Sequence, residues 1–295
     1  MKFKYELYKY QQDVMNVFQN EININNKKIH IVSPPGSGKT IMGIEMITRL
    51  KGNSLILVPN ITLQHQWKDK IEKFFLEENE NINELVSIDK ENIKKINILT
   101  YQSLTQTNRE NDDFLEQIFD FWFKDFSIDF EKKEDFLSYV NYIKDFDNKK
   151  YINYLLKYKK KLKKNIKEDN LEKLISPELI NYFGELKKFK IDSIILDEAH
   201  HLTNWWSKVI YFLWEFLSEK AGEEDNSYII GLTTTPPYEN IDFFELDDNY
   251  LNLLGEIDYY VPTPSIIKSG RLAPFSDLVY FVEPDKNLSL LIKKN

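Results

Sequence analysis

The stretch Ser33-Pro34-Pro35-Gly36-Ser37-Gly38-Lys39-Thr40 decides the fold of this chain of 295 residues. It directly follows a β-branched run at residues 28–32 and directly precedes an apolar pattern of helical period at residues 41–50. A glycine-rich turn that ends in Lys-Thr, between a strand and a helix, is typical of a phosphate-binding loop. Ser33 stands where the general GxxxxGK[ST] pattern has its first glycine.

The residue types in this loop suit a polyphosphate and its metal ion. Gly36 and Gly38 let the backbone fold closely around phosphates, with N–H groups turned inward above the positive end of the helix. Lys39 supplies a point charge for the β and γ phosphates, and Thr40 supplies a hydroxyl ligand for Mg²⁺. The predicted nucleotide-binding residues of the loop are Pro35, Gly36, Ser37, Gly38, Lys39 and Thr40.

Four further apolar runs read as strands, at residues 54–58, 96–100, 191–196 and 228–232. Each is continuously apolar instead of alternating, which indicates strands covered by helices on both faces. Helical patterns separate the runs, as in βαβ units with a parallel sheet. The sequence therefore predicts an α/β fold of the P-loop NTPase kind, with a doubly wound and mostly parallel sheet.

A second polar segment, Asp197-Glu198-Ala199-His200, directly follows the run at residues 191–196. In open α/β sheets, ligands bind at the carboxyl ends of the strands. We expect Asp197 to hold the hydration shell of Mg²⁺ and Glu198 to orient and polarise an attacking water. The acidic pair favours water as the phosphoryl acceptor, which argues against a kinase.

Residues 105–190 interrupt the pattern of strands with apolar residues at helical spacing, and we interpret them as a helical insertion. Ser176 and Pro177 predict a helix start within it. Its lysine-rich part carries lysines at 149, 150, 157, 159, 160, 161, 163, 164 and 167. These lysines either track a phosphate backbone or form a solvated helix face. The second interpretation is favoured, with Tyr151, Leu155, Tyr158 and Leu162 packing inward.

Composition excludes several classes of protein. With 42% apolar, 14% aromatic and 29% charged residues, the chain lies in the globular range. The absence of cysteine excludes disulfides, thiolate zinc sites and cysteine nucleophiles, and it suits a reducing cytoplasm. No signal-peptide or membrane-spanning pattern is present, so we expect a cytoplasmic protein with no membrane partner. The net charge of −8 argues against coating nucleic acid by bulk electrostatics, although a local basic face remains compatible with binding it.

The paired segments SPPGSGKT and DEAH resemble motifs I and II of superfamily 2 helicases and translocases. Other segments resemble further motifs of that family in the expected order: residues 57–67 motif Ia, residues 100–104 motif Ib and residues 231–237 motif III. Tyr10-Gln11 resembles the adenine-reading glutamine segment. The combination is similar to the motors of type I and type III restriction enzymes, XPB-like repair helicases and phage-defence helicases.

This resemblance implies a RecA-like motor domain that binds ATP and Mg²⁺ and couples hydrolysis to translocation on nucleic acid or to strand separation, with DNA favoured over RNA. Catalytic roles would fall on Lys39, Asp197, Glu198 and His200, and adenine reading on Gln11. The implied contacts to the nucleic-acid backbone are Pro59, Asn60, Thr100, Tyr101 and Gln102. Thr233 and Thr235 would couple the nucleotide state to that strand, with hydroxyls able to bond His200.

The resemblance also implies a domain organisation. Residues 1–104 and 191–282 would form one RecA-like domain around the insertion at 105–190, and residues 283–295 would begin a linker. Motifs IV to VI, with the arginine finger, are absent from the sequence. Because the family hydrolyses ATP between two RecA-like domains, we expect a second such domain or subunit as a partner and weak turnover by this chain without it.

Two alternatives stay open. The acidic, aromatic segment at residues 112–130 fits a nucleotide-switched regulatory or scaffolding module, whose insertion would dock a protein partner. Trp205 and Trp206 fit either a base-stacking platform or core packing against the helix that contains Trp214 and Phe216. Core packing is favoured.

Overall fold

The computed structural model describes residues 1–104, 112–165, 171, 175–218, 227–240, 245–246 and 248–274. The strands of its main sheet are β1 (Lys28–Val32), β2 (Asn53–Val58), β3 (Val86–Ser87), β4 (Ile96–Thr100), β5 (Ile191–Asp197), β6 (Tyr228–Thr233) and β9 (Tyr259–Tyr260). A separate antiparallel pair consists of β7 (Tyr238–Asn240) and β8 (Glu245–Leu246). The main sheet is parallel throughout, in the order β3-β4-β2-β5-β6-β1-β9.

Helices cover both faces of the sheet. They are α1 (Lys9–Asn23), α2 (Lys39–Leu50), α3 (Ile61–Phe74), α4 (Ile82–Leu85), α5 (Tyr101–Leu104), α6 (Asp112–Asp125), α7 (Lys133–Phe146), α8 (Asn148–Asn165), α9 (Pro177–Lys188), α10 (Asn204–Ser218), α11 (Asp248–Leu254) and α12 (Thr263–Lys268). Alternate strand residues enter different cores: Ile56 packs with α1, α2 and α3, whereas Leu55 and Leu57 pack with α9, α10 and α11. The predicted doubly wound α/β fold is confirmed.

The five apolar runs correspond to β1, β2, β4, β5 and β6, so those predicted strands are confirmed. Sequence patterns missed β3 and β9. Each has only two residues, too few to show a period. Pairing places β9 beside β1, where Ile31 and Val32 are in register with Tyr259 and Tyr260.

The helices α6 to α9, which lie between β4 and β5, share an aromatic core on one face of the sheet. Trp122 is fully buried there, stacked on Tyr158 at 5.6 Å between ring centroids and edge-on to Phe136. In α8, Tyr158 and Leu162 are buried, as the solvated-face interpretation of the lysines requires. The predicted helix start at Ser176 is confirmed, since its hydroxyl accepts a hydrogen bond from the Leu179 backbone N–H at 3.3 Å.

The predicted segment boundaries fall partly outside the described residues. Residues 105–111 open the predicted insertion, and residues 275–295 include the predicted linker; neither range is described. Within the described part of the chain, no helix combines the length and the apolar character needed to cross a lipid bilayer.

Candidate nucleotide site

The loop at residues 33–38 connects β1 to α2 in a conformation that depends on glycine. Gly36 and Gly38 have φ angles of 79° and 84°, in the left-handed region that other residues rarely adopt. A Cβ atom on Gly38 would also lie 2.7 Å from Nε2 of Gln11. The backbone N–H of Ser33 donates to the carbonyl of Thr233 at 2.8 Å, which fixes the start of the loop to the end of β6.

The loop contains buried polar atoms that suit an anion. The hydroxyl oxygens of Ser33 and Ser37 are buried and have no hydrogen-bond partner among the described residues. Leaving such groups unpaired costs roughly 1–3 kcal/mol each. A phosphate group held above the N-terminus of α2 would satisfy them, so the residues present fit a nucleotide.

The loop and the acidic end of β5 meet in one site. Nζ of Lys39 lies 3.3 Å from Oε1 of Glu198 and 3.5 Å from the carbonyl oxygen of Ser33. The Lys39 side chain is 9% exposed and that of Glu198 is 24% exposed, so this ion pair is partly shielded from water. Glu198 itself has a φ of 50°, a left-handed conformation that is uncommon for a residue with a side chain and is often found at functional sites.

Asp197 is buried at the end of β5, and each of its oxygens is engaged. Oδ2 accepts a 2.6 Å hydrogen bond from the Trp67 indole, Oδ1 accepts one from the Glu198 backbone N–H, and the Tyr101 hydroxyl donates to the backbone carbonyl at 2.8 Å. Burial raises the pKa of Asp197 to about 6; the Trp67 hydrogen bond opposes this rise, and the Glu198 charge adds to it. The protonation state of the Asp197 carboxyl therefore depends on the groups that surround it.

Thr40 contacts Lys70, which is not among the predicted site residues. Nζ of Lys70, on α3, donates to Oγ1 of Thr40 at 3.0 Å. Burial lowers the pKa of Lys70, while the Asp197 carboxylate acts in the opposite direction. Thr40 and Asp197 offer the hard oxygen atoms that Mg²⁺ prefers, and they are the residues that would hold it.

His200 connects the acidic segment to β6. Its Nδ1 lies 3.0 Å from the Thr233 hydroxyl and 3.3 Å from Oε2 of Glu198. Burial, followed by the charges of His201 and Lys39, lowers the pKa of His200. Thr235, the other predicted coupling residue, offers its backbone carbonyl to the Thr233 hydroxyl, and it is the Thr234 hydroxyl that lies 3.5 Å from His200.

Gln11 supports the loop from α1. Its Nε2 donates to the Ser37 carbonyl at 3.0 Å, and the Tyr10 hydroxyl donates to the same carbonyl at 2.9 Å. Oε1 of Gln11 accepts from the Tyr8 backbone N–H. Gln11, predicted to read adenine, thus lies against the phosphate-binding loop.

The residues predicted to contact nucleic acid lie at the carboxyl ends of β2 and β4, which are in register at Val58 and Thr100. Asn60 and Gln102 are exposed, and Pro59 and Thr100 are half-buried. The side chain of Tyr101 is fully buried beneath Asp197. The predicted contact of Tyr101 with nucleic acid is therefore corrected: this side chain supports the site from inside the protein.

The tryptophans after the acidic segment need a correction too. Trp205 and Trp206 lie on α10, the same helix that carries Trp214 and Phe216, so they do not pack against a separate helix. Trp205 is 5% exposed and belongs to the core, as favoured, and Trp206 stacks on Tyr101 with 5.5 Å between ring centroids.

Sequence reasoning missed Tyr10, Trp67 and Lys70 as site residues. Trp67 and Lys70 are three positions apart on α3, a spacing that places both side chains on one helix face. The available signal was a tryptophan at the end of the segment that resembles motif Ia, with a lysine three positions after it. Nothing in the sequence alone indicated that this face turns toward Asp197 and Thr40.

The parallel sheet and the loop facing an acidic strand end define the class: an α/β P-loop domain of the RecA-like kind. Residues 4–126 match the family model described as "Type III restriction enzyme, res subunit". In the order of its motifs, the chain is similar to the first RecA-like domain of superfamily 2 helicase and translocase motors.

Individual relatives agree. The chain is 33% identical over 103 residues to "DNA 3'-5' translocase XPB2" of Sulfurisphaera tokodaii, a match that covers 35% of this chain and 21% of that protein. It is 32% identical over 103 residues to "Putative DNA 3'-5' helicase Rad25" of Haloarcula marismortui, which covers 35% and 16%. The matched regions span about a fifth or less of these relatives.

Among solved structures, the "UvsW helicase from Bacteriophage T4" is similar, with a TM-score of 0.46 and 14% identity, over 88% of this chain and 64% of that chain. The family match and the sequence relatives favour a motor domain over the alternative of a scaffolding module.

Proposed function

We propose that this chain is the ATP-binding motor domain of a helicase or translocase, which couples ATP hydrolysis to movement along nucleic acid or to strand separation. DNA is favoured over RNA, because the similar curated proteins are named as DNA translocases and helicases. The observation that carries the proposal is the 3.3 Å ion pair between Lys39 and Glu198, which joins the phosphate-binding loop to the acidic strand end.

The roles follow from the positions. The N–H groups around Gly36 and Gly38 would bind phosphate oxygens, and Lys39 would exchange its Glu198 partner for one of them. Glu198, once released from Lys39, is positioned to orient water and accept its proton. Thr40 and Asp197 would hold Mg²⁺, which when bound neutralises charge that develops on the phosphates.

His200 fits a coupling role. It lies within 3.3 Å of both the Glu198 carboxylate and the Thr233 hydroxyl, so a shift of Glu198 would change the contacts at the end of β6.

We infer that a second RecA-like domain or subunit completes the site, because an arginine finger contributes about 10³ to 10⁵ in rate in other P-loop enzymes. We also propose that residues 105–190 form a helical insertion, which divides one RecA-like domain into residues 1–104 and 191–282.

The test is ATP turnover by the protein together with its second RecA-like domain or subunit, measured without nucleic acid, with DNA and with RNA. We expect DNA to stimulate turnover, and Glu198→Gln to abolish the stimulated rate while nucleotide binding persists. A turnover rate that is the same in all three conditions would contradict the proposed motor.

A further inference from the structure

Helix α3 places a cation against Thr40, one of the two residues that would hold the metal, and within electrostatic range of Asp197, the other. Nζ of the half-buried Lys70 donates to Oγ1 of Thr40 at 3.0 Å. The same ammonium interacts electrostatically with Asp197, and it is opposed by the charge of Lys39. Trp67, one turn earlier on the same face, bonds Asp197 directly at 2.6 Å.

The chemistry of these contacts resembles that of a metal ion. An ammonium group has three donors and no acceptor, so it takes a lone pair from an oxygen ligand as a cation does. The lone pair of Thr40 that Lys70 engages is of the kind that Mg²⁺ requires. A buried carboxylate such as Asp197 also needs a nearby positive charge when no metal neutralises it.

We infer that Lys70 is a built-in counter-cation for the metal position. It engages Thr40 and neutralises Asp197 when the site is empty of metal, and it gives way when Mg²⁺ arrives with the nucleotide. This inference rests on the proposed function.

Opposite effects on metal and nucleotide follow from this role. Two cations near the same oxygens repel each other, so the Lys70 ammonium weakens metal binding. Without metal, the same ammonium adds positive charge beside the phosphates and strengthens nucleotide binding. A residue that only stabilised the fold would not change these two affinities in opposite directions.

The experiment compares wild type with Lys70→Met, using ADP as the nucleotide and Mn²⁺ as a spectroscopic probe for Mg²⁺. Electron paramagnetic resonance of free Mn²⁺ gives the metal affinity of the ADP complex, and fluorescence titration in EDTA gives the metal-free ADP affinity. We expect the variant to bind Mn²⁺ about fivefold or more tightly, a typical size for coupling between sites, and to bind metal-free ADP more weakly. Lys73→Met is the matched control, because Lys73 is an exposed lysine on the same helix.

Unchanged or weaker Mn²⁺ binding by Lys70→Met would overturn the inference while leaving the proposed function intact. A wild-type chain that binds no ADP under either condition would overturn both. If circular dichroism shows that Lys70→Met is unfolded, Lys70→Gln decides the question, because its amide keeps a donor for Thr40 but carries no charge. Tighter Mn²⁺ binding is then expected from Lys70→Gln, and wild-type binding by it refutes the role.

Discussion

At the scale of single residues, the site depends on a hydrogen bond between two buried side chains. The Trp67 indole holds Oδ2 of Asp197, and the ring lies against α2 only because residue 43 is glycine. A Cβ atom on Gly43 would be 2.6 Å from the Trp67 ring and 2.8 Å from the Leu232 side chain, so an alanine there would overpack the interface. Gly43 and Trp67 are therefore positioning residues for Asp197.

Trp67→Phe removes this hydrogen bond and keeps most of the ring packing. We expect the free energy of unfolding to fall by about 1 to 3 kcal/mol, the usual value for a lost bond to a charged group. We also expect weaker binding of Mg²⁺ with nucleotide, because the pKa of Asp197 rises further without its donor. Urea unfolding and nucleotide titration measure the two effects.

Trp214→Phe is the control for that experiment. Its indole also donates a 2.6 Å bond, to the carbonyl of Ser227, away from the loop and the acidic segment. It should lower stability and leave the affinity for nucleotide unchanged. Equal losses of nucleotide affinity in both variants would show that Trp67 acts through general stability only.

A second residue-scale prediction concerns His30, which is fully buried in β1 with Nε2 3.0 Å from the Tyr250 hydroxyl. Burial lowers the pKa of His30 to about 4, from 6.5. Between pH 4 and 6.5, His30 is therefore protonated in the unfolded chain and neutral in the folded chain. Its contribution to the free energy of unfolding is complete above pH 6.5 and falls as the pH drops toward 4, by about 3 kcal/mol in total.

Urea unfolding of wild type and His30→Gln at pH 7.5 and pH 5 measures this contribution. Asp197 acts in the opposite sense, because its raised pKa makes the folded state the better proton acceptor between pH 3.8 and about 6. That effect is common to both proteins and cancels in their difference. The stability advantage of wild type should shrink at pH 5, and an advantage that does not change with pH would contradict the assignment.

At the scale of elements, α3 joins the two predicted surfaces. Its N-cap is Asn60, an exposed residue at the edge assigned to nucleic acid, whose side chain accepts from the Leu63 backbone N–H at 3.0 Å. About two to three turns later the same helix reaches the nucleotide site through Trp67 and Lys70. The cap of α3 and its two residues at the nucleotide site therefore belong to one continuous helix.

Asn60→Asp separates capping from nucleic-acid contact. Aspartate keeps the cap, whereas alanine would cost about 1 kcal/mol of stability. The added negative charge should weaken DNA binding at fixed salt without lowering stability, because it would repel the phosphate backbone that Asn60 is proposed to contact. Asn81→Asp is the control, since Asn81 caps α4 before β3, at the opposite edge of the parallel sheet. Equal DNA affinities for the two variants would remove Asn60 from the interface.

Elements of high apolar content were predictable, and short ones were not. The runs of β1, β2, β4, β5 and β6 are continuous because both faces are covered, and this pattern is visible in sequence. By contrast, β3 and β9 consist of two residues each. Each pairs with one neighbouring strand at an edge of the sheet, so its position depends on the assembled sheet and not on a local sequence pattern. The start of α9 was predictable because its cap is local to Ser176.

At the scale of the whole molecule, the parallel sheet brings the predicted site residues to one edge. Strand β6 lies between β1 and β5, so the loop after Val32 and the segment after Asp197 flank the carboxyl end of β6 at Thr233. Sequence motifs predicted that these ends would meet, since parallel strands share a carboxyl edge. They could not predict the contacts of Trp67 and Lys70, which depend on how α3 is rotated against the sheet.

The helices α6 to α9 show the same limit. Helical periodicity predicted helices and inward-facing residues in this part of the chain, but the assembly around Trp122 depends on side chains brought together from three helices. Lysines of α8 are partly engaged by neighbouring helices, as in the 2.6 Å ion pair between Lys161 and Asp125.

The affinity of this chain for ATP with Mg²⁺, measured for wild type, Lys39→Ala and Lys73→Ala, tests the central claim most directly. We expect wild type and Lys73→Ala to bind alike and Lys39→Ala to bind at least about tenfold more weakly, because a charge-assisted contact to phosphate is lost. Equal binding by Lys39→Ala and wild type would show that the loop at residues 33–40 does not hold the nucleotide.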